Sequence, residues 1–464
     1  MLGFFRKGDA MKYGVRKLLW IMALVLVAGC AGGSTKWAQF HGDSFSRGFQ
    51  PVESGFALSS AWTSKPYKIT SSSPVIGYDF EGKEILYVGT TDAHLIAIDS
   101  QDGSQRWARN LGDDSVARIV SSPAVSDRGD IYIITHPEIS DGPASSTLHK
   151  VDRFSYRQWS FTFPDNGFTS GSPKVLTSGE QTLIFVYVSV GGIENLQGEL
   201  FVLRDNNNRV EVLDRKSLGT CRYDAAGSGP ASVDLSDFSK AAWNFLTDFP
   251  VAFNVDDKPL PDTFVAPTPA IDAARPKPLI AIADNLCSIG AYEWDGTELS
   301  VLWTGPHDFK KHSSIVLLMN GLMVFGRKDG MVFAYDVQTG VKMWEYDAGG
   351  PVFATPAAPP DEFVFIVSKN HIQAVHSADG TLVQDGKLPR KLELLSQTHS
   401  SPAVTGNRVY VSTGEMLTVT YDLKTRGHDS NFQGNGLSSI AVSSDGDVYA
   451  VDIDGTIRKY KGTD

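Results

Sequence analysis

The chain is expected to be all-β: an eight-bladed β-propeller of four-stranded antiparallel blades, its ring closed by an N-terminal strand. Three observations predict this. A short start signal recurs along the chain, as Ser73-Pro74-Val75, Ser122-Pro123-Ala124, Ser172-Pro173-Lys174, Thr268-Pro269-Ala270, Thr355-Pro356-Ala357 and Ser401-Pro402-Ala403. Two further copies lack the proline, Ser313-Ser314-Ile315 and Ser438-Ser439-Ile440, which makes eight. A second pattern, A-x-D-x-x-[TD]-G-x-x-x-W, fits both Ala97 to Trp107 and Ala334 to Trp344. Third, the last unit stops short after Tyr460, while an orphan apolar stretch, Phe56 to Trp62, precedes the first start. Repeats roughly 40–50 residues apart, each with several short strands, are the signature of a propeller.

The elements of a unit follow in order. Ile85-Leu86-Tyr87-Val88 is a short apolar strand, Thr91-Asp92-Ala93 a turn, His94 to Ile98 an alternating strand, Asp102-Gly103 a second turn, and Trp107 lies on the fourth strand. The unit that starts at Ser313 repeats this with Leu322 to Phe325, Asp329-Gly330, Met331 to Ala334 and Thr339-Gly340. Asp-Gly between alternating strands is a hairpin signal, because both residues tolerate positive φ. Asp379-Gly380 and Asp454-Gly455 mark similar turns. The one long gap between starts holds an insertion near 217–265, rich in Asp, Ser, Pro and Phe, with Gly227-Ser228-Gly229-Pro230 as a weak candidate for a ninth start. Within the insertion, Asp237 to Phe245 fits one short amphipathic helix, and Trp243, Phe245, Phe249 and Phe253 crowd together. These aromatics either cover one end of the ring or anchor a partner. The Phe56–Trp62 stretch supplies the missing outer strand of the last blade, which removes two exposed sheet edges.

A glycine in the turn has no Cβ, so a Trp ring from a neighbouring blade can lie on its backbone. Gly103, Trp107, Gly340 and Trp344 are the residues assigned to such docking. The pattern resembles the tryptophan-docking motif of quinoprotein-alcohol-dehydrogenase-like propellers. That superfamily holds PQQ-dependent enzymes and non-catalytic outer-membrane assembly lipoproteins of the BamB type. The other units depart from the motif. His376 to Gly380 keeps the turn but is followed by Gln384 in place of Trp, Asp152 to Trp159 is one residue short, and after Tyr421-Asp422 the glycine is displaced to Gly427. Trp37-Ala38-Gln39-Phe40-His41-Gly42 is similar to the W-x-x-F-x-G opening of such lipoproteins.

At the N-terminus, Lys12, Arg16 and Lys17 precede the apolar run Leu18 to Val27, and Val27-Ala28-Gly29-Cys30 follows. A charged region, a short apolar run and small residues before a cleavage point make a secretory signal rather than a membrane span. The cysteine makes it resemble a bacterial lipobox, with Cys30 as the diacylated first residue of the mature chain. Met11 is an alternative start. The resemblance further implies that Ala31, in place of Asp, directs the protein to the outer membrane. The expected organisation is a lipoprotein signal over 1–29, a lipidated N-terminus and tether over 30–55, and the propeller over 56–464.

Net charge is −11. The signal region carries five Lys/Arg and one Asp, so the processed chain is more acidic still, which argues against a nucleic-acid partner. Besides Cys30 the only cysteines are Cys221 and Cys287. In an oxidising periplasm they can pair and tie the insertion down; Cys287 can equally be a buried free thiol in its apolar setting.

The enzyme hypothesis is a PQQ-dependent dehydrogenase, a family that sets two adjacent cysteines against the quinone and holds a calcium nearby. No two cysteines are adjacent here, and no segment matches the calcium-site residues. His307 and His312 form no helical ligand pair. Asp452-Ile453-Asp454-Gly455 starts like a calcium loop but lacks the distal ligands, and a hairpin turn explains it. No G-x-S-x-G is present. No catalytic, cofactor-binding or metal residue is therefore assigned, and no cofactor is expected. What remains is a lipid-anchored monomeric periplasmic propeller that binds protein partners, with the outer-membrane β-barrel assembly machinery as the partner the resemblance implies. The alternatives are a quinoprotein dehydrogenase, or a sensor or adhesion propeller for an unknown ligand.

Overall fold

A computed structural model describes residues 37–463 apart from 56, 70, 113–116, 138–144, 191–196, 221–266, 284–287, 307–312, 361–362, 369–370, 384–391, 394–397, 399, 414–417, 423–427, 433–437 and 453. Cys30, Cys221, Cys287 and the aromatics of the insertion lie outside these residues, as do the helix expected over 237–245 and the weak ninth start at Gly227.

The strands fall into eight sheets. Sheet 1 holds Val75–Tyr78, Glu84–Gly89, His94–Asp99 and Gln105–Asn110. Sheet 2 holds Ile131–Pro137, Thr147–Val151 and Arg157–Thr162, with the short Ala117–Arg118 and Ala124–Val125 on its inner edge. Sheet 3 holds Lys174–Ser178, Gln181–Val190, Gln197–Asp205 and Val210–Thr220. Sheet 4 holds Ala270–Asp272, Leu279–Ala283, Ser288–Trp294 and Leu299–Pro306. Sheet 5 holds Val316–Leu317, Leu322–Gly326, Met331–Asp336 and Lys342–Asp347. Sheet 6 holds Phe363–Ser368, His371–His376 and Leu392–Glu393. Sheet 7 holds Ala403–Thr405, Arg408–Ser412, Thr418–Asp422 and His428–Phe432, with Phe49–Gln50 added in parallel to its inner edge. Sheet 8 holds Ala441–Val442, Val448–Val451, Ile457–Thr463 and Ala57–Thr63.

The expectation of eight four-stranded blades is corrected here. Seven sheets carry four or more strands and are full blades, whereas sheet 6 carries three. Its innermost position is reduced to a single bridge between Ala357 and Phe365, because Pro359 and Pro360 follow at once and proline cannot extend a ladder. The N-terminal strand pairs antiparallel with Ile457–Thr463, with Trp62 opposite Lys459. The sheets are layered by alternation: strands such as Gln105–Asn110 point one side inward and one side out, while the central strands are buried on both faces. Apolar side chains fill each joint between neighbours. Tyr87 and Ile133 meet between sheets 1 and 2, and Phe185 and Tyr292 between sheets 3 and 4. Ile76 and Leu86 share a cluster with Tyr449 and Ile457, which joins sheet 8 back to sheet 1 and completes the ring.

In such a meander the first and third turns of every sheet fall on one face of the ring. The second turn and the connection to the next sheet fall on the other. These are the hairpin face and the connection face. The compact unit begins at Trp37, so residues 37–55, expected as part of a tether, pack within the propeller.

Candidate functional site

The start signals meet at the hub. At seven joints the backbone N–H of a start residue donates to the hydroxyl of the next sheet's start. One run goes from Ser73 to Ser122 (2.9 Å), Ser122 to Ser172 (2.9 Å), Ser172 to Thr268 (3.1 Å) and Thr268 to Ser314 (3.0 Å). A second goes from Thr355 to Ser401 (3.0 Å), Ser401 to Ser439 (3.0 Å) and Ser439 back to Ser73 (2.9 Å). All of these positions are buried. A buried N–H without an acceptor is costly, so the hydroxyl before each proline has a physical reason to be there.

Nearer the hairpin face, residues 37–52 run around the inside of the ring as a strap. One backbone or side-chain contact after another ties it to the innermost strands. The carbonyls of Trp37, Ala38, Ser44 and Phe45 accept from the amides of Ile76 (2.7 Å), Val125 (2.8 Å), Ile271 (2.6 Å) and Leu317 (3.0 Å). Those of Arg47 and Gly48 accept from Ala358 (2.8 Å) and Val404 (2.7 Å). At sheet 3 the Gln39 amide makes both bonds to the Val175 backbone, at 2.9 and 3.1 Å. The strap thereby satisfies inner-edge donors of seven consecutive sheets.

Two buried basic side chains hold it. Lys174 Nζ donates to the carbonyls of Phe40 (2.7 Å) and Asp43 (2.6 Å), and burial lowers its pKa to about 7. His41 sits with Nδ1 2.6 Å from the Ser46 carbonyl and Nε2 2.8 Å from the Pro402 carbonyl. Burial pushes its pKa down to about 4, against the two carbonyls, which favour the imidazolium. At Gly48, with φ of 59°, a Cβ would run into the His41 ring and come 2.7 Å from the Pro402 oxygen.

The tryptophans form the second repeated device. Each ring leaves the outermost strand of one sheet and docks on a turn of the next. Trp62 donates through Nε1 to the Ser100 carbonyl (2.9 Å) and covers Gly103, where a Cβ would come within 2.5 Å of the ring. Trp303 does the same at Val337 (2.9 Å) over Gly340, and Trp344 at Ser377 (3.0 Å) over Gly380. Trp107 donates to the Arg153 carbonyl (3.1 Å) on a turn without glycine, where Ser155 takes the left-handed conformation, φ 77°. A register shift opposite these rings, at Ala97/Ile98 and Ala334/Tyr335, turns the strand so that the Trp can reach out. Trp159 instead donates to the carboxylate of Asp205 (3.0 Å), which also accepts from Lys150 (2.6 Å) and Tyr132 (2.7 Å). Burial works against the charged carboxyl of Asp205, but these three donors outweigh it and hold its pKa below the usual range.

The family profile described as outer membrane protein assembly factor BamB matches residues 58–217 and 290–463. The chain belongs to that family. Among solved structures, BamB from Moraxella catarrhalis aligns over 87% of this chain and 100% of its own, with 11% identity and a TM-score of 0.54. Quinohemoprotein alcohol dehydrogenases from Pseudomonas putida (TM-score 0.62, 12% identity, 93% and 81% covered) and Comamonas testosteroni (TM-score 0.62, 13% identity, 95% and 82% covered) share the fold. A curated relative, the beta-alanine-activating enzyme of Danio rerio, is 30% identical over 122 residues, which is 25% of this chain and 10% of that protein.

The buried Lys174 at the hub gives two of its three Nζ donors to the strap. Among the described residues no group of three His, Cys, Asp or Glu is placed to hold a metal ion. Asp452 pairs with Arg458 (3.0 Å) and Asp454 caps the amide of Thr456 (2.8 Å), as a hairpin turn requires. Sequence reasoning paired Gly103 and Gly340 with the Trp of other repeats without finding their partners. Trp62 and Trp303 are those partners; Trp303 lies seven residues after Gly296 rather than four after a motif glycine, so the spacing hid it. The strap's role was also missed, although the opening stretch from Trp37 to Gly42 is part of it.

Proposed function

We propose that this protein is a lipid-anchored, non-catalytic scaffold of the bacterial envelope that binds protein partners in outer-membrane β-barrel assembly. Family membership over both halves of the ring supports the reading, and the observation that carries it is the strap: the inner-edge donors of seven sheets, which face the hub, are taken by the chain itself. Cys30 is the proposed lipid site, with residues 1–29 removed, and the outer membrane facing the periplasm is the proposed location.

Affinity purification of the full lipidated chain from gently solubilised outer membrane tests this. Subunits of the β-barrel assembly machinery should co-purify. A preparation that lacks them, yet oxidises alcohols once PQQ and calcium are supplied, would overturn the scaffold reading in favour of a quinoprotein.

A further inference from the structure

We infer that the hairpin face is the membrane-apposed face of the ring and that its exposed apolar turn residues touch the lipid headgroup layer. This rests on the reading of Cys30 as the anchor.

Two independent observations point there. The first is where the folded chain begins. The strap bonds to the ends of the innermost strands just before their first turns: Val125 precedes the turn at Ser126–Gly129, and Leu317 the turn at Leu318–Gly321. The chain then crosses the hairpin face to the rim, with the Val52 carbonyl on Gly406 and Asn407 bonded to Ser54. Trp37 therefore stands at the hairpin-face mouth of the hub. Seven residue steps separate it from Cys30, a reach of at most about 25 Å even when fully extended. A lipid on Cys30 keeps that mouth close to the bilayer.

The second observation is the surface itself. Phe80 is 69% exposed, Phe154 56% and Tyr156 66%, and all three lie on hairpin-face turns of sheets 1 and 2. The Phe80 and Phe154 rings are 6.2 Å apart, so they form one patch across the joint. Met319 and Val341, on hairpin-face turns of sheet 5, are also exposed. The other large exposed hydrophobics among the described residues lie on outermost strands. A tyrosine such as Tyr156, apolar in body and polar at its tip, belongs at a membrane–water boundary, and the shallow apolar contact of the Phe80 and Phe154 rings adds to an acyl anchor. The connection face, at which the strand Val210–Thr220 ends, then points away from the membrane.

The test uses the full lipidated protein in vesicles of phosphatidylethanolamine and phosphatidylglycerol. The photoreactive residue p-benzoylphenylalanine replaces Phe80 or Phe154 on one face, and Lys68 or Lys328 on the other. Irradiation should give several-fold more lipid adduct from the first pair. Equal yields, or more adduct from Lys68 and Lys328, overturn the inference, as does cross-linking of the first pair to envelope protein instead of lipid in whole cells. Intact mass separates the two readings. Acylated protein with equal adducts sinks the orientation alone; protein without acyl chains sinks the anchor and the orientation with it.

Discussion

Burial pushes the pKa of His41 in the strap down to about 4, below the ordinary 6.5, against two carbonyl partners that favour the imidazolium. Between those values the unfolded chain takes up a proton that the folded one refuses. Stability is therefore fully present above about pH 6.5 and falls as the pH drops towards 4, by on the order of 3 kcal/mol if the whole shift is expressed. His136, buried with its pKa lowered to about 3, adds a fall in the same direction. Replacing His41 by Gln should flatten the slope of stability against pH across this window while leaving the His136 part. Urea titrations from pH 7 to 4 that give equal slopes for both proteins would contradict this account. Lys174 acts alongside. Lys174→Met removes both donors to the Phe40 and Asp43 carbonyls, so proteolysis after Arg47 should become faster before any global unfolding is seen.

At the scale of the element, each docking Trp joins one sheet to the next. Trp344 is 6% exposed, covers Gly380 and donates to the Ser377 carbonyl. Trp344→Ala should cost about 3–5 kcal/mol, the usual range for emptying a large buried aromatic site. Reversible unfolding that shows a much smaller loss would mean the ring is not a joint. This device was legible in sequence where Ala, Asp, Gly and Trp all serve it, because each must be that residue: Ala97 packs under the ring of Trp107 as its cross-strand partner, and the turn glycine makes room for a neighbour's Trp. Where a Ser in the left-handed conformation replaces glycine, as at Ser155, or the Trp shifts along its strand, as at Trp303, the same contact leaves no pattern to match. The strap was less legible still. Most of its bonds use backbone carbonyls, which any residue supplies. The start signals were visible for the opposite reason, since a hydroxyl side chain has to accept the bond. The shortened sheet 6 was hidden because its start signal, Thr355-Pro356-Ala357, is intact and the loss comes only afterwards.

For the whole molecule, the expected anchor and the insertion make separate predictions. Cys30→Ala should abolish lipid labelling and leave the protein soluble or uncleaved; continued co-fractionation with outer membrane at high salt would show that something other than the lipid holds it there. If the insertion is a binding loop, replacing residues 222–262 with a short Gly/Ser linker should leave the melting temperature nearly unchanged and remove co-purifying partners; the strands on either side, Val210–Thr220 and Ala270–Asp272, belong to different sheets with pairings of their own. Unfolding of the deletion variant would place the insertion's aromatics in the core. The strap carries one more consequence, which concerns time. Its partners are spread over sheets 1 to 7, from Ile76 to Val404, and its continuation, Ala57–Thr63, needs the final strand, Ile457–Thr463. Long-range contacts of this kind form late, after the chain between them is ordered. The strap, near in sequence only to sheet 1, is thus among the last segments to find its place, and the inner edges of sheets 1 to 7 wait for it until those sheets are themselves in place.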